Sequence, residues 1–196
     1  MLGNSTSEEN ANNVAIVIGA NSKIAISLIK RLGNDESFTE IVTIGRQFSD
    51  NVETGFSNKV SRFNCDYAEA SIREICEQLK VHKGQISRVF ICNGILHDTQ
   101  FQPEKRIEDV TAENLHKVFE VNAIIPMLWI KYLKPVLANE QGCLVTVFSA
   151  RIGSIEDNRK GGWYAYRGSK AALNMLLKTA AIEYERVLKG TRFLVF

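Results

Sequence analysis

A tyrosine and a lysine four residues apart, Tyr166 and Lys170, are the side chains of this sequence best suited to acid–base chemistry. They lie in the segment GWYAYRGSKAALN, whose pattern otherwise predicts a helix. On a helix this spacing places the phenol and the ammonium group on one face, about one turn apart. Because a nearby cation favours the phenolate, we expect Lys170 to lower the pKa of Tyr166 from its usual value of about 10. Tyr166 could then exchange a proton with an alcohol or a carbonyl. The alternative is an ordinary contact on an amphipathic helix.

The elements that would position this pair alternate between strands and helices. Short, β-branched apolar runs predict strands at Val14–Gly19, Ile41–Gly45, Val60–Asn64, Val89–Cys92, Leu144–Phe148 and Arg192–Phe196. Helical spacing predicts helices at 23–32, 69–80, 111–138 and 164–189. The third begins at Thr111 as its N-cap and is bent or divided at Pro126 and Pro135. This alternation predicts an α/β fold, a doubly wound, mostly parallel sheet with helices on both faces. Such sheets bind ligands beyond the carboxyl ends of their strands, where the winding reverses.

The first predicted strand runs into a turn that could hold phosphate. It reads GANSKIA from Gly19 to Ala25 and leads directly into a helix, whose N-terminal N–H groups favour phosphate or pyrophosphate. Of the glycine pattern typical of dinucleotide turns only Gly19 is present, since Lys23 and Ala25 occupy two of its other positions. A purely structural turn is the alternative.

The second strand ends in Gly45-Arg46, and the arginine bears on the choice of cofactor. An acidic residue here would bond a ribose hydroxyl of NAD, whereas an arginine accommodates the 2′-phosphate of NADP. Lys23 adds a second positive charge near the same turn. Either residue could instead be a solvated surface charge. Together they predict NADP in preference to NAD.

Other polar positions end strands or interrupt a helix: Asp66, Asn93 with Gly94, Asn122 and Ser149. Those at strand ends lie where the fold places its ligand, although such residues are also common in turns. Asn122 lies in an apolar helical stretch, where its amide needs partners, or it caps a helix bent before Pro126. Ser149 could bond a substrate oxygen opposite Tyr166.

Bulk composition limits the class of protein. The chain has 196 residues, 45% hydrophobic and 23% charged, with a net charge of +2, which argues against a dedicated nucleic-acid or membrane-surface binder. No apolar stretch reaches the roughly 20 residues of a membrane helix. The four scattered cysteines predict buried free thiols in a reducing cytoplasm, with no metal site and no disulfide. We expect residues 1–13 to be a disordered lead-in and residues 14–196 to form a single dinucleotide-binding domain.

Taken in order, these motifs resemble the short-chain dehydrogenase/reductase family, which has a Rossmann fold. They are GANSKIA at 19–25, CNG at 92–94, VNA at 121–123, Ser149 in FSARIGS, and YRGSK from Tyr166 to Lys170. The longer run GSIEDNRKGGWYAYRGSKAALN resembles the C-factor-like subfamily, whose members have a similar lengthened loop before the tyrosine. The resemblance covers nearly the whole chain from Val14 onward. The tyrosine–lysine motif is highly specific, and the glycine motif is not.

The resemblance implies a role for each matching position. Tyr166 would be the proton donor or acceptor, and Lys170 would lower its pKa and hold the nicotinamide ribose. Ser149 would orient the substrate carbonyl, and Asn122 would hold a water that links Lys170 to solvent. The remaining positions would contact the pyrophosphate, the adenine or its ribose: Gly19, Asn21, Ser22, Ile24, Asp66, Asn93 and Gly94. The cofactor itself would supply the hydride.

The sequence also departs from the family pattern. Ile91-Cys-Asn-Gly94 replaces the usual Asn-Asn-Ala-Gly, and Ser149-Ala150 replaces a serine pair, which leaves Ser154 as a second candidate for the serine role. In the family, the strand that Arg192–Phe196 resembles precedes a Pro-Gly segment, a substrate loop and a final strand. We therefore expect a C-terminally truncated chain that lacks the final strand and substrate loop and is weakly active or inactive as it stands.

Three functions fit these observations. The first is an oxidoreductase that interconverts a small-molecule carbonyl and an alcohol with NADP(H). The second, favoured by the incomplete glycine turn, is a non-catalytic or regulatory dinucleotide-binding protein of the same fold. The third, sugar-nucleotide modification, is disfavoured by the short chain. The resemblance also implies a homodimer or homotetramer formed through the apolar faces of helices 111–138 and 164–189; packing within one chain is the alternative.

Overall fold

A six-stranded parallel sheet organises the computed structural model, which describes residues 13–48, 59–138, 142–188 and 190–196. The strands are β1 (Val14–Ile18), β2 (Glu40–Gly45), β3 (Val60–Asn64), β4 (Ile86–Ile91), β5 (Leu144–Val147) and β6 (Arg192–Val195). Their order is β3-β2-β1-β4-β5-β6, and every neighbouring pair is parallel. The winding therefore reverses between β1 and β4, which opens a crevice at the carboxyl ends of these strands. The predicted fold class is confirmed.

Helices cover both faces of the sheet because successive strand side chains point in opposite directions. The helices are α1 (Lys23–Gly33), α2 (Glu69–Gln78), α3 (Ala112–Phe119), α4 (Ile125–Leu133) and α5 (Tyr164–Val187). Ala15 and Val17 of β1 share a buried cluster with α1, whereas Ile16 and Ile18 share another with α2, α4 and α5. All of β1 is buried, as its continuous apolar run predicts.

The predicted elements agree with the structure, with boundaries that shift by a few residues. The largest shift among the strands is in β4, which begins at Ile86 rather than at Val89. Residues 1–12 of the predicted lead-in lie outside the described residues, as does Lys189 at the predicted end of the last helix. The backbone of Asn13 donates to the Thr39 hydroxyl at 3.0 Å and its carbonyl accepts the Thr39 N–H at 2.9 Å.

The helical region predicted at 111–138 is divided, as expected, and its first half begins as predicted. The Thr111 hydroxyl accepts the backbone N–H of Asn114 at 3.2 Å and caps α3. Between α3 and α4 the segment Glu120–Ile124 forms a π-helical turn. Pro126, near the start of α4, has no N–H and cannot donate to the Asn122 carbonyl four residues earlier. The π-helical turn therefore contains Asn122, the predicted site residue of this region.

The cysteines are free thiols. Cys65, Cys76 and Cys143 are buried and Cys92 is half-buried. Burial raises the pKa of Cys76, Cys92 and Cys143 to about 12, so these thiols are protonated at neutral pH. Within the described ranges, none of the helices has the length and apolar character that a membrane crossing requires.

Candidate active site

A cavity of about 980 Å³ opens at the carboxyl ends of β1 to β4. The predicted cofactor positions that line it are Gly19, Asn21, Ser22, Arg46, Asp66, Asn93 and Gly94. Lys23 and Ile24 lie exposed in the first turn of α1. Neither they nor the other predicted cofactor contacts, Tyr166 and Lys170, are among the residues that line the cavity. Gln47, Tyr67 and Ile95 also line the cavity, and sequence reasoning did not select them.

The turn after β1 depends on the single glycine of the motif. Gly19 has φ +78°, and a Cβ at this position would lie 2.9 Å from the carbonyl carbon of Cys92. Close approach of the β1 and β4 termini therefore excludes any side chain at Gly19. The Ser22 hydroxyl caps α1 by accepting the Ala25 N–H at 3.1 Å. The first turn of α1 contains no acidic side chain, so its free N–H groups remain suited to an anion.

The wall formed by the ends of β2 and β3 carries charge of both signs. Arg46 is exposed at the cavity wall, and the side-chain amide of Asn21 donates to the neighbouring Gln47 carbonyl. Asp66 is also exposed, and its Oδ1 accepts the Ala68 N–H at 2.9 Å. Hydrogen bonds from Ser71 and Ala68 lower the pKa of Asp66, so it is a carboxylate at neutral pH.

Asn93 supplies the clearest sign that the cavity takes a polar ligand. It is 8% exposed, and its Oδ1 has no hydrogen-bond partner among the described residues. The side chain also bonds to Tyr67, whose pKa burial raises. Because a buried acceptor without a partner costs free energy, this oxygen is suited to receive a hydroxyl or N–H of a ligand. Together with the Gly19 turn, it fits a dinucleotide in the cavity.

Asn122 fixes the part of the site between the cavity and α5. Its Oδ1 accepts the backbone N–H of Ile95 at 2.7 Å, and its Nδ2 donates to the Ile95 carbonyl at 2.9 Å. The same Nδ2 donates to the Ser169 hydroxyl at 3.0 Å. The side chain is fully buried and all its polar atoms have partners. Asn122 therefore ties the loop after β4 to α5 rather than capping a helix.

Lys170 lies beside this amide and is almost completely buried. Its Nζ donates to the Phe148 carbonyl at 2.9 Å, and only 3% of the residue is exposed. A Cβ on Gly94 would lie 3.6 Å from Lys170 Nζ and 3.7 Å from Asn122 Oδ1, so both groups lie beside Gly94 of the cavity wall. Burial lowers the pKa of Lys170 from 10.5 to about 8. A Cβ on Gly153 would come within 2.8 Å of the Lys170 backbone, so only glycine permits this loop to pack there.

Tyr166 and Lys170 face each other, as their spacing predicts, with Nζ 5.9 Å from the centroid of the tyrosine ring. The expected lowering of the Tyr166 pKa is wrong, however. Burial raises the pKa of Tyr166, because desolvation disfavours the phenolate. The Lys170 ammonium, 5.9 Å from the ring centroid, does not outweigh this desolvation. The pair is therefore a neutral phenol beside a buried cation at neutral pH.

The two serine candidates have different surroundings. The Ser149 hydroxyl donates to Asn174 Oδ1 of α5 at 2.6 Å. Ser154 is exposed, and its hydroxyl accepts the Asp157 N–H at 3.3 Å within a turn. Ser149 is thus the one bonded to the helix that carries Tyr166. Sequence reasoning did not select Asn174 or Ser169, although both lie in the SKAALN continuation of the motif.

These elements define a doubly wound α/β protein with a tyrosine–lysine pair near its crevice, and comparison with known proteins gives its family. Residues 24–193 match the family model described as "Enoyl-(Acyl carrier protein) reductase". The chain belongs to the short-chain dehydrogenase/reductase family, whose members are NAD(P)-dependent oxidoreductases.

Two relatives more than 35% identical match this chain over shorter segments. The 1-hydroxy-2-glutathionyl-2-methyl-3-butene dehydrogenase of Rhodococcus sp. is 39% identical over 62 residues, which cover 32% of this chain and 26% of the relative. The C-signal protein of Myxococcus xanthus is 38% identical over 77 residues, or 38% of this chain and 45% of the relative. These matches therefore span about a quarter and just under half of the two relatives. The second gives partial support to the C-factor-like resemblance.

Solved structures support the fold over most of the chain. An NADPH-bound carbonyl reductase from chicken fatty liver superposes with a TM-score of 0.79 at 20% identity. The match covers 94% of this chain and 78% of the reductase.

Proposed function

We propose that this chain is an NADP(H)-dependent oxidoreductase that interconverts a carbonyl and an alcohol, with Tyr166 as the proton donor or acceptor. The observation that carries the proposal is the Tyr166–Lys170 pair, with 5.9 Å between the ring centroid and the ammonium nitrogen. That nitrogen would lie 3.6 Å from a Cβ on Gly94, which lines the cavity at the strand termini. A bound nicotinamide cofactor would supply or accept the hydride. The protein would supply position and a proton.

In the direction of reduction, Tyr166 acts as a general acid. Its raised pKa keeps the phenol protonated at neutral pH, so a proton is available for the oxygen of a carbonyl. As the carbonyl carbon gains hydride, the O–H bond of Tyr166 breaks and a new O–H bond forms on the substrate, leaving a phenolate. Lys170 stabilises that phenolate, because opposite charges attract strongly in a poorly solvated site.

Asn122 supports the recovery of the proton. Its side chain is occupied by Ile95 and Ser169, whereas its carbonyl cannot receive the usual helical N–H because residue 126 is proline. A carbonyl released in this way is suited to hold a water near Lys170. Such a water would return a proton from solvent to Lys170 and thence to Tyr166.

Ser149 is proposed to orient the substrate oxygen. Its hydroxyl proton is engaged by Asn174 at 2.6 Å, and rotation of the Asn174 amide would present an N–H to Ser149 instead. The serine proton would then be free for the substrate. Ser149 and Tyr166 would together hold a carbonyl oxygen with two donors, which polarises its carbon.

The choice of NADP follows from the end of β2. Arg46 stands at the cavity wall where the fold positions the adenosine ribose, and its guanidinium suits a 2′-phosphate. The solved carbonyl reductase with NADPH has the same fold. Asn93 is proposed to bond the adjacent ribose through its free Oδ1, and Asp66 to contact the adenine.

Two experiments test this function in sequence. NADPH and NADH are titrated separately by fluorescence; we expect binding of both, with NADPH tighter. Tyr166→Phe is then compared with the unaltered chain in the reduction of a simple aldehyde by NADPH. Turnover should be lost while NADPH affinity is retained. Binding of neither nucleotide would refute the proposal, and turnover by Tyr166→Phe would remove Tyr166 from proton transfer. NADPH binding without any turnover would support the regulatory alternative.

We also propose association of subunits through α5. Trp129, Leu173 and Leu177 of the apolar faces are buried within one chain. A second set on α5 is exposed: Met175, Leu176, Ile182 and Val187. Burial of these side chains against a second copy would remove apolar area from water. Sedimentation analysis should show a dimer or tetramer, and a Met175→Glu, Leu176→Glu double variant should shift it toward monomer. The free thiols suit a cytoplasmic location.

A further inference from the structure

Trp163, immediately before α5, has a backbone conformation that its side chain disfavours. Its φ is 55° and its ψ 47°, and it follows two glycines of positive φ, Gly161 and Gly162. Among the described residues, Tyr67 is the only other non-glycine residue with positive φ. A bulky residue is strained in this region, whereas glycine is not. Strained positions of this kind persist where surrounding contacts enforce them, and they cluster at functional sites.

Glu104 enforces this conformation from a distant part of the chain. Its carbonyl accepts the Trp163 N–H at 2.5 Å, and its carboxylate accepts the Ala165 N–H at 3.3 Å. The Glu104 residue is buried. On the other side, the Trp163 carbonyl accepts the Arg167 N–H at 2.8 Å as α5 begins. Both the N–H and the carbonyl of Trp163 are thus held by hydrogen bonds.

The consequence is that the indole packs against the proposed proton donor. The Trp163 and Tyr166 ring centroids are 6.3 Å apart at an interplanar angle of 73°, an edge-to-face contact. The Trp163 residue remains 39% exposed, and it is absent from the buried clusters formed by the described residues. The core therefore does not require this side chain. Its strained backbone instead presents an aromatic surface next to the Tyr166 ring.

We propose that Trp163 forms an aromatic wall of the substrate site and selects carbonyl compounds that carry a planar apolar substituent. This inference rests on the proposed function, because Tyr166 marks the position of the carbonyl oxygen. That oxygen must come within about 3 Å of the Tyr166 hydroxyl to receive its proton. The substituents on the carbonyl carbon then lie within reach of a ring that packs on Tyr166. Aromatic rings prefer offset or edge-to-face contact with other rings, so a planar substituent gains most from this wall.

Substrate preference in the full chain tests the wall. The measured quantity is kcat/KM with NADPH for benzaldehyde divided by that for butanal. We expect this ratio to fall by about threefold to tenfold in Trp163→Leu, the range given by loss of one aromatic pair. It should be largely retained in Trp163→Phe, which keeps a ring. Tyr164→Leu is the matched control: Tyr164 is adjacent and 38% exposed, but forms no aromatic pair with any described residue. An unchanged ratio in Trp163→Leu would overturn the proposal.

A binding measurement separates this proposal from the proposed activity. The sequence has two tryptophans, and Trp129 is fully buried, so the emission lost in Trp163→Leu belongs to Trp163. Benzamide, a planar compound that this chemistry does not reduce, should alter that emission, and butyramide should not, with or without NADP⁺. Equal responses to the two amides would refute the wall even if aldehydes are reduced. If no aldehyde is reduced but benzamide alone perturbs Trp163, the proposed function fails and the aromatic site stands.

Discussion

Replacement of Lys170 by methionine removes a buried charge, so the stability of the variant relative to the unaltered chain should be highest below pH 8 and decline as the pH rises toward 10.5. Lys170 is 3% exposed and its pKa is lowered from 10.5 to about 8 by burial. Methionine has a similar length and volume and carries no charge. The variant should have no reductase activity, so the prediction concerns stability, which is measured independently of turnover.

The magnitude follows from the two pKa values. One pKa unit corresponds to about 1.4 kcal/mol, so lowering the Lys170 pKa from 10.5 to about 8 means that its charge destabilises the fold by roughly 3 kcal/mol at pH 7. Below pH 8 both the folded and the unfolded chain carry the proton, and this penalty is complete. Between pH 8 and 10.5 the unfolded chain binds a proton that the folded chain does not, so stability rises with pH. At pH 10 about 1 kcal/mol of the penalty remains.

A second effect opposes the first but does not depend on pH. Methionine cannot donate to the Phe148 carbonyl, which accepts from Lys170 at 2.9 Å, and a buried acceptor without a partner costs about 1–3 kcal/mol. The variant is therefore expected to be between equal in stability and about 2 kcal/mol more stable at pH 7. The pH dependence of the stability difference between the two chains therefore measures the effect of the buried charge alone.

Urea unfolding of both chains at pH 7, 8, 9 and 10 measures the difference. The advantage of Lys170→Met over the unaltered chain should decrease by roughly 2 kcal/mol from pH 7 to pH 10. Lys178→Met, at an exposed position of the same helix, is the matched control and should show no such trend. A difference that stays constant with pH for Lys170→Met would mean that the ammonium group is solvated, and a buried charge beside Gly94 would be refuted.

Three other perturbations test separate parts of the site. Arg46→Asp should shift the ratio of NADPH to NADH dissociation constants toward NADH, and an unchanged ratio would show that Arg46 does not bind the phosphate. Gly19→Ala places a methyl 2.9 Å from the Cys92 carbonyl carbon and should destabilise the chain by ~1–3 kcal/mol more than Gly84→Ala, judged by urea unfolding. Gly84 also has positive φ but no atom within 4 Å of an added Cβ, so it controls for backbone strain. Finally, the rate of aldehyde reduction should fall as pH rises through about 8, where Lys170 loses its proton. A rate that does not change up to pH 9.5 would contradict this.

The fold could be predicted from sequence because each of its elements carries its own local signal. The continuous apolar run of β1 and the helical spacing of Ala25, Ile29 and Leu32 in α1 reflect burial on the sheet. The π-helical turn at Glu120–Ile124 had only the proline as a signal. A proline four residues after an asparagine removes one helical hydrogen bond, and the turn that replaces it also carries the bonds of Asn122 to Ile95, which the local sequence does not reveal.

The sequence predicted that Tyr166 and Lys170 lie together, but it gave the wrong direction for the change in the Tyr166 pKa. The four-residue spacing of Tyr166 and Lys170 predicts that both lie on one face of the helix, because that placement depends only on helix geometry. The direction of the Tyr166 pKa depends on how deeply the ring is buried. The burial of Lys170 likewise involves the Phe148 carbonyl and the Gly153 loop, which lie outside the motif. The orientation of Trp163 likewise depends on Glu104, more than fifty residues earlier.

Burial moves both members of the pair toward their neutral forms, and this affects the proposed reaction. It raises the pKa of Tyr166 and lowers that of Lys170, so the resting site opposes a phenolate. Once Tyr166 has given up its proton, the new phenolate and the Lys170 ammonium form an ion pair. At the 5.9 Å between Nζ and the ring centroid, an effective dielectric of about 20 gives an attraction of roughly 3 kcal/mol. This attraction is absent before proton transfer and present after it, and only interactions that strengthen toward the transition state increase the rate of the chemical step. In the proposed reaction the lysine therefore offsets part of the desolvation cost of the phenolate, while the pKa of Tyr166 stays raised overall.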